Sequence, residues 1–208
     1  MKIPKPAIKR LAVYYRCLQR MKEEGKDKTS SKEMAQRLGI KACQIRKDLS
    51  YFGEFGKRGV GYNIDNLLEK LKAILGLESV WRTVVIGAGN LGKAIAGYKG
   101  IKEQGFDIIA LFDVDRRKVG KKVNNAKIHH IDELEEFVKK NDVKIAILSV
   151  PKEAAQQAAE AAEKAGVEGI LNFSPRVINV SIPVENVDIA VSLKSLTFQI
   201  IRRKGKEK

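Results

Sequence analysis

The sequence predicts an α/β protein in three parts: an N-terminal winged helix-turn-helix domain, a Rossmann-type parallel-sheet domain and a C-terminal helix. In the first third of the chain, a helix, a short helix, a glycine and a third helix follow one another. A Gly-x-Gly-x-x-Gly motif at 87–92 then lies between a β-like run and a helix-like run. Beyond it, apolar strands alternate with helices, which is typical of a parallel sheet covered on both faces. The predicted domains span 1–78, 79–192 and 193–208.

The composition is that of a globular protein with room for two modest domains. The chain has 208 residues, of which 44% are hydrophobic and 31% are charged. No apolar run approaches the roughly 18 residues that span a bilayer, and the first residues lack the apolar core of a secretion signal. We therefore expect a cytoplasmic protein without a membrane partner. Cys17 and Cys43 lie far apart without metal-ligand spacing, so no metal site is predicted.

The net charge is +15, and most of the excess lies at the two ends of the chain. Residues 1–78 carry 18 basic and 9 acidic side chains, residues 202–208 carry 5 and 1, and the segment between them carries 17 and 15. A basic end of a chain is typical of a protein that binds a polyanion. A thermophile-like surface rich in Lys and Glu is the alternative, but it explains many charges of both signs rather than an imbalance.

The N-terminal segment has the layout of a helix-turn-helix. Apolar residues recur at helical spacing from 7 to 24. Ser30 and Glu33 form a capping-box pair that begins a short second helix, which ends at Gly39. A third helix is predicted over 42–52. This order of helices and turn predicts a DNA-binding module.

The third helix has two faces. At about 100° per residue, Ile45, Leu49 and Phe52 fall together and are predicted to face the core. The opposite face suits base edges and phosphates, with Arg46 a candidate for guanine or phosphate and Gln44 for adenine. The alternative is an ordinary amphipathic helix with a solvated basic face. The candidate DNA-binding residues of this region are Ser31, Lys41, Gln44, Arg46, Lys47, Ser50 and Tyr51.

Residues 53–62 contain four glycines and alternate them with aromatic residues, which forbids a stable helix and favours a short hairpin. Lys57, Arg58 and Gly59 fall at the predicted tip, and we expect a wing whose basic tip enters the minor groove of DNA. A hairpin that only turns the chain is the alternative. A further amphipathic helix over 64–76 is expected to connect the two domains.

The C-terminal segment alternates strands with helices, as a Rossmann domain does. The predicted strands are 83–86, 108–113, 127–129, 144–150, 169–173 and 187–193. The last of them is predicted to lead into a helix that ends near Arg203.

The glycine motif suits dinucleotide binding. Gly87 makes a tight turn, Gly89 lets the backbone approach a pyrophosphate, and Gly92 permits close packing of helix on strand. The helix that follows presents N–H groups and the positive end of its dipole to phosphates. A glycine-rich turn without a ligand is the alternative. The predicted cofactor-binding residues here are Gly87, Ala88, Gly89, Asn90, Leu91 and Gly92.

Asp113 ends an apolar run 21 residues after Gly92, where a carboxylate is expected to accept hydrogen bonds from the ribose hydroxyls. Because a carboxylate repels a 2′-phosphate, the sequence favours NAD⁺ and NADH as cofactors over their phosphorylated counterparts. Arg116, Arg117 and Lys118 keep that alternative open, since cations can hold a phosphate. Lys118 is also a predicted cofactor-binding residue.

Two later strand ends are candidates for the rest of the nucleotide site. Ligands of an open parallel sheet bind at the carboxyl ends of its strands, and the residues at or just after the ends of the strands 144–150 and 169–173 are predicted to lie there. Each proline among them can equally be a plain strand terminator. The residues expected to line the ribose and nicotinamide half are Val150, Pro151, Asn172, Phe173, Ser174 and Pro175.

No catalytic set is evident in the sequence. His129 and His130 are the only histidines, and they lie far along the chain from the glycine motif. Tyr98, predicted on the first helix of the second domain, has no evident lysine partner. Hydride transfer to a carbonyl usually needs a positioned acid or base. We therefore expect no catalytic residues and a protein that is not an enzyme.

The chain resembles the redox-sensing transcriptional repressors of the Rex family over essentially its whole length, and two motifs carry most of the resemblance. The motif at 44–62 reads Gln-Ile-Arg-Lys-Asp-Leu-Ser-Tyr-Phe-Gly-Glu-Phe-Gly-Lys-Arg-Gly-Val-Gly-Tyr, and that at 87–92 reads Gly-Ala-Gly-Asn-Leu-Gly. The segments 172–175 and 183–188 support the resemblance. The first motif is long and highly specific, whereas the glycine motif alone is not.

The resemblance implies a homodimer that represses genes of fermentation and respiration. Such a repressor binds a palindromic operator in double-stranded DNA when NAD⁺ predominates and releases it when NADH binds. The C-terminal helix, here after Val191, is expected to be swapped between subunits. The resemblance also implies a switch in which the partner's Asp188 lies near the nicotinamide and chooses between Arg16 and Tyr98. Ile189 stands where some relatives carry an aromatic residue.

Two other classes of protein stay open on the residues alone. A small NAD-dependent dehydrogenase with a basic extension would turn over NADH with a carbonyl substrate and would bind no specific DNA sequence. A CoA- or nucleotide-binding subunit of a larger ligase would need a partner chain and a catalytic histidine.

Overall fold

The computed structural model describes residues 3–56 and 60–204. Contacts within the chain divide it into two compact units, one up to Ser79 and one from Val80 onward. No helix of the described part is long and apolar enough to cross a membrane.

The first unit is helical with one small sheet. Its four helices pack around a single core to which all of them contribute, with Leu11, Met34, Ile45 and Leu67 fully buried. Its elements are α1 (Lys5–Glu23), β1 (Lys28–Thr29), α2 (Ser31–Leu38), α3 (Ala42–Ser50), β2 (Tyr62–Asn63) and α4 (Ile64–Ile74).

Helix α2 begins and ends as the sequence predicts. The Ser30 hydroxyl accepts a hydrogen bond from the Glu33 N–H over 3.1 Å, and Gly39 ends the helix in the left-handed conformation with φ of +66°. The Glu33 carboxylate is used differently from the predicted capping box. It accepts a hydrogen bond from the Thr29 hydroxyl over 3.0 Å and pairs with Lys26, because β1 brings these residues beside the helix start.

In the described residues, the strand of the predicted wing does not pair with a neighbouring strand of the same glycine-rich segment, as a local hairpin would. Strand β2 follows the glycine-rich segment and pairs antiparallel with β1, so that Tyr62 lies opposite Thr29. A Cβ on Gly61 would lie 2.3 Å from the Thr29 carbonyl oxygen, which is why only glycine fits here. Lys57, Arg58 and Gly59, the predicted tip, lie outside the described residues.

The second unit is built on a sheet of seven strands in the spatial order β5-β6-β4-β3-β7-β8-β9. Edge strand β5 pairs antiparallel with β6, and every other pairing is parallel. The strands are β3 (Trp81–Ile86), β4 (Phe106–Asp113), β5 (Lys122–Val123), β6 (Ala126–His130), β7 (Ile145–Leu148), β8 (Gly169–Asn172) and β9 (Val184–Asn186).

Helices cover both faces of this sheet, so each central strand is apolar on both sides. On β3, Val84 and Ile86 face a core that includes Ala159, while Val85 faces a second core that includes Leu111 and Ile128. The helices are α5 (Asn90–Gly97), α6 (Lys99–Glu103), α7 (Leu134–Asn141), α8 (Ala155–Ala165) and α9 (Ile189–Lys204), with a 3₁₀ turn at Ile131–Glu133.

The strand order reverses at β3, which lies between β4 and β7. The register sets Ile86 level with Phe112 on one side and with Leu148 on the other. The residues that follow these three strands therefore meet at one edge of the sheet. In an open α/β sheet this switch point is where ligands bind.

The predicted last strand is wrong in its position. The final strand is β9, and the chain is helical from Ile189 onward. The Asp188 carboxylate accepts a hydrogen bond from the Val191 N–H over 3.1 Å and caps this helix. The β-branched run that suggested a strand is therefore the first turn of α9.

Candidate nucleotide site and DNA-recognition helix

The glycine loop between β3 and α5 uses its three glycines differently. Gly87 has a φ of +101°, and a Cβ there would lie 2.7 Å from the Ser149 carbonyl oxygen. A Cβ on Gly92 would lie 2.0 Å from the Gly87 carbonyl oxygen. By contrast, a Cβ on Gly89 would meet nothing within 4 Å. Gly87 and Gly92 are thus required by the fold itself, while Gly89 leaves space on the outer side of the loop.

Asp113, at the end of β4, is buried beside this loop with 8% of its surface exposed. Its Oδ2 accepts hydrogen bonds from the Ala88 N–H and from Lys118 Nζ, both over 2.8 Å, and its Oδ1 accepts one from the Asp115 N–H over 2.9 Å. Burial acts to raise the pKa of Asp113, but the bonds from Lys118 and the two backbone donors outweigh it and lower the pKa. Asp113 therefore anchors the glycine loop in addition to facing the site.

A cavity of about 830 Å³ opens at this edge of the sheet. Ser149, Ile131, Ala158 and Ala161 line it without having been predicted; their only sequence signal is that the first two follow strands. The apolar wall from α8 suits a flat aromatic ring, and the glycine loop with the start of α5 suits phosphates. The predicted residues that the structure brings together here are Gly87, Gly89, Asn90, Leu91, Asp113, Lys118, Val150 and Pro151.

The segment 172–175 lies at the same sheet edge but does not line this cavity. Asn172 is fully buried, and its amide donates to the Ser174 and Arg176 carbonyl oxygens and to Asn186 Oδ1, at 3.2, 2.9 and 2.8 Å. Asn172 thus ties β8 to β9 and shapes the loop after it. The buried Ser174 hydroxyl has no hydrogen-bond partner among the described residues.

Tyr98 lies in the break between α5 and α6 and not within a helix, with ψ of 104°. It is 67% exposed and lines a second cavity of about 600 Å³, together with Phe106 and Val123. A Cβ on Gly100 would lie 2.8 Å from the Tyr98 ring, so the ring rests over this glycine. Of the other two predicted switch residues, Asp188 caps α9, and Arg16 lies exposed on α1 in the first unit.

Two of the three basic residues that left the choice of cofactor open are held by carboxylates. Arg117 donates two hydrogen bonds to Asp115, over 2.9 and 3.0 Å, and Lys118 pairs with Asp113. The hydrogen bonds from Arg117 lower the pKa of Asp115 to about 2. Each of these cations already has a carboxylate partner, which favours a ribose without a 2′-phosphate.

The recognition helix α3 presents a basic surface. Arg46 is exposed, and its Nη1 donates to the Ser31 hydroxyl over 2.9 Å, which joins the start of α2 to this surface. Lys41, Lys47 and Ser50 are exposed as well. Tyr51, after the helix end, is half-buried.

Gln44, the candidate for reading adenine, is only half-exposed because its Nε2 donates to Asp48 Oδ1 over 2.8 Å. Asp48 is fully buried and was missed by the sequence reasoning. Its position gave a signal, since it lies three residues after Ile45 and next to Leu49, on the inward side of the helix.

Both histidines make contacts that stabilise the fold. The His129 ring stacks on Phe112 with centroids 5.6 Å apart, and its Nδ1 lies 3.0 Å from Glu133 Oε2. His130 begins the 3₁₀ turn as its capping residue. Within the described ranges, no group of three or more His, Cys, Asp or Glu side chains could hold a metal ion.

Comparisons with known proteins agree with both halves of the chain. Residues 78–176 match the family model "CoA binding domain", and residues 2–50 match "Putative DNA-binding protein N-terminus". A redox-sensing transcriptional repressor Rex from Thermosipho africanus is 54% identical over 97% of each chain. A crystal structure of RSP with NAD⁺ and operator DNA superposes with a TM-score of 0.91 at 34% identity, covering 100% of this chain and 96% of RSP. RSP with NADH gives a TM-score of 0.89 at 33% identity, covering 100% and 98%.

A helix-turn-helix unit with a basic recognition helix and a Rossmann unit with a glycine-loop cavity define a class of protein, the DNA-binding regulators that carry a nucleotide site. The predicted α/β fold class, with an N-terminal DNA-binding domain and a Rossmann-like parallel sheet, is thereby confirmed, while the swapped position of the C-terminal helix stays a prediction. The chain belongs to the Rex family of redox-sensing transcriptional repressors.

Proposed function

We propose that this chain is a transcriptional repressor that senses the ratio of NADH to NAD⁺ and is not an enzyme. One observation carries the proposal: a recognition helix and a dinucleotide cavity occur in one chain that is similar over its full length to RSP, a structure solved with NAD⁺ and operator DNA. RSP was also solved with NADH. The repressor is proposed to bind a palindromic operator when NAD⁺ predominates and to leave it when NADH binds.

The cavity beside the glycine loop is the proposed NAD(H) site. The pyrophosphate is expected to lie over Gly89 and the start of α5, where a Cβ would meet nothing and helix N–H groups point outward. The adenosine is expected to lie between Asp113 and the apolar wall of α8. Tyr98, the 172–175 segment and Asp188 are proposed for the nicotinamide half.

The basic surface of α3 is the proposed DNA site. Arg46 and Lys47 supply charge for phosphates or guanine, and the Ser31 hydroxyl lies within hydrogen-bond distance of Arg46. Lys57, Arg58 and Gly59 are proposed to contact DNA from the wing. A palindromic operator requires two such units, which suits a homodimer.

Helix α9 supports the proposal of a homodimer. Most of its large apolar side chains are half or more exposed, including Ile189, Leu193, Leu196 and Phe198. Such a face needs a covering surface, and a swapped position on a second copy of this chain supplies one. We place the dimer in the cytoplasm, where the NADH pool it senses is found.

The response to NADH requires a difference in binding between two conformations. NADH releases DNA only if it binds the DNA-free arrangement more tightly than the DNA-bound one. A neutral dihydronicotinamide is cheaper to bury than the NAD⁺ ring cation, which gives the discrimination a physical source. In the proposed switch, the partner's Asp188 pairs with Arg16 in one arrangement and with Tyr98 in the other.

The test is fluorescence anisotropy of a duplex that the protein selects from random DNA, titrated with NADH and separately with NAD⁺. We expect NADH to release the duplex at concentrations where NAD⁺ does not. Gly89→Ala serves as a matched control that should bind the duplex and ignore NADH. If the protein selects no duplex and instead oxidises NADH with a carbonyl compound, the proposal is wrong and the chain is a dehydrogenase.

A further inference from the structure

The fully buried Asp48 lies at the centre of a polar cluster in the DNA-binding unit, in which Arg10 and Gln44 are partly exposed. Its Oδ2 accepts hydrogen bonds from Arg10 Nε and the Tyr14 hydroxyl, over 2.5 and 2.7 Å. Its Oδ1 accepts from Arg10 Nη2 and Gln44 Nε2, over 2.7 and 2.8 Å. Four donors therefore occupy the carboxylate, which is as many as its two oxygens usually accept.

This cluster joins two helices and includes Gln44, the candidate for reading adenine. Arg10 and Tyr14 belong to α1, while Asp48 and Gln44 belong to α3. The bidentate bond from the planar Arg10 guanidinium fixes both distance and orientation, which apolar contacts between helices do not do. The cluster thus holds the recognition helix in one rotation and one translation on α1.

The same carboxylate orients Gln44. With Nε2 bonded to Asp48, the amide of Gln44 is held in one rotamer before any DNA arrives. Reading adenine takes a paired acceptor and donor on one amide, so a fixed amide loses less conformational entropy on binding.

Stability alone does not account for such a cluster. Burial strips Asp48 of its hydration, while the Arg10 side chain keeps 31% of its surface exposed. An ion pair with such a desolvation cost contributes little net stability compared with apolar side chains of similar size. Asp48 is fully buried, and along α3 it lies next to Leu49 and three residues after Ile45, both of which belong to the apolar core. A buried polar group that stabilises little can still fix one geometry among several.

We propose that Asp48 is a positioning residue for operator recognition. It fixes the position and rotation of α3 on α1, and it fixes the rotamer of Gln44. The inference rests on the proposed DNA-binding function. Asp48 itself contacts no DNA and acts through Gln44 and Arg46. Its loss therefore weakens sequence discrimination before it weakens general attraction to DNA.

The test compares two affinities at a temperature well below unfolding, for the selected operator and for a scrambled duplex of the same length. For Asp48→Asn we expect operator affinity to fall about tenfold or more, while affinity for the scrambled duplex and its salt dependence hold or rise. The scrambled-duplex affinity can rise because Arg10 loses its counter-charge. A merely destabilised protein would lose both affinities together.

Two further variants separate positioning from stability. The double variant Arg10→Met with Asp48→Leu replaces the cluster by apolar packing, and we expect it to melt at or near the wild-type temperature without regaining discrimination. Asp65→Asn is the matched control, since Asp65 is an exposed aspartate paired with Lys22 of the same helix α1. It should leave both affinities unchanged.

The outcomes are distinct. The positioning role is wrong if folded Asp48→Asn still distinguishes the operator from the scrambled duplex as well as wild type does. It is also wrong if the apolar double variant does so. Either result leaves the repressor proposal intact. If wild-type protein fails to distinguish the two duplexes, the proposed function itself fails.

Discussion

The backbone N–H of Ala88, inside the glycine loop, donates a hydrogen bond to Asp113 Oδ2 at the end of the neighbouring strand, over 2.8 Å. The bond ties the loop that follows β3 to the carboxyl end of β4, and Lys118 holds the same oxygen from outside. The acidic residue of the fingerprint is thus part of the scaffold of the phosphate loop as well as a candidate for the ribose.

Replacing Asp113 tests this double role. In Asp113→Ala, the buried Ala88 N–H loses its acceptor and Lys118 loses its partner, so we expect about 1–3 kcal/mol of destabilisation. NADH affinity should fall at least tenfold, because the loop is no longer held. Urea unfolding and NADH titration followed by fluorescence measure both effects. Asp65→Ala in the first unit is the control, since Asp65 lines neither of the two cavities of the second unit, and its NADH affinity should stay at the wild-type value.

Alanine at position 89 is predicted to remove NADH binding without loss of stability, whereas alanine at position 92 is predicted to destabilise the second unit. Gly89→Ala meets open space, so its free energy of unfolding should stay within about 0.5 kcal/mol of wild type while NADH binding is lost, because the methyl group occupies the phosphate approach. Gly92→Ala meets the Gly87 carbonyl oxygen at 2.0 Å and should destabilise the second unit by about 1–3 kcal/mol or more. Calorimetry with NADH titration separates the two. Equal melting temperatures for the two variants would contradict this assignment.

Asp115 is predicted to restrict the site to the nucleotide without a 2′-phosphate. In Asp115→Asn the Arg117 guanidinium loses its charged partner, so the region becomes more positive. We expect the ratio of NADPH to NADH dissociation constants to fall about tenfold, mainly through tighter NADPH binding. Adding Arg117→Gln in the same chain should restore the wild-type ratio, and an unchanged ratio in the single variant would show that Arg117 does not reach the phosphate.

Gly100 is predicted to leave the space that the Tyr98 ring occupies. Gly100→Ala places a methyl group where the ring lies, at 2.8 Å, while the helical backbone favours alanine by about 1 kcal/mol. The melting temperature should therefore hold or rise while NADH-dependent release of the operator weakens, which a general loss of stability cannot produce. In a Tyr98→Ala background, the same substitution should have no further effect on release. An additive effect there would show that Gly100 acts independently of the ring.

The buried carboxylate of Asp48 predicts the acid sensitivity of the first unit. Burial acts to raise the pKa of Asp48, but the hydrogen bonds from Arg10, Tyr14 and Gln44 outweigh it and hold the pKa below its usual 3.8. The stabilisation is therefore present above about pH 4 and is lost as pH falls through the lower folded value. Asp48→Asn has no such charge to protonate. Between pH 7 and pH 3, wild-type protein should lose more free energy of unfolding than the variant, as measured by urea titration.

Much of the local structure follows from short-range signals in the chain. The Ser30 cap and Gly39 set the bounds of α2, and the unbroken apolar run of Val84, Val85 and Ile86 marks a strand buried on both faces. The last strand could not be placed in this way. The β-branched residues from 187 to 191 fit either a strand or a helix, and the Asp188 cap decides for the helix.

The sequence by itself determined the order of elements, the glycine loop and the basic recognition helix, because each depends on residues within a few positions of one another. The tertiary structure alone decided that Asp113 holds Ala88, that Asp48 holds Arg10, and that Tyr98 rests over Gly100 outside the glycine-loop cavity. The first two join residues 25 and 38 positions apart, and a carboxylate's partners there depend on strand register and helix packing. The third depends on the break between α5 and α6, where Gly97 and Gly100 weaken the helix but do not determine the position of the Tyr98 ring.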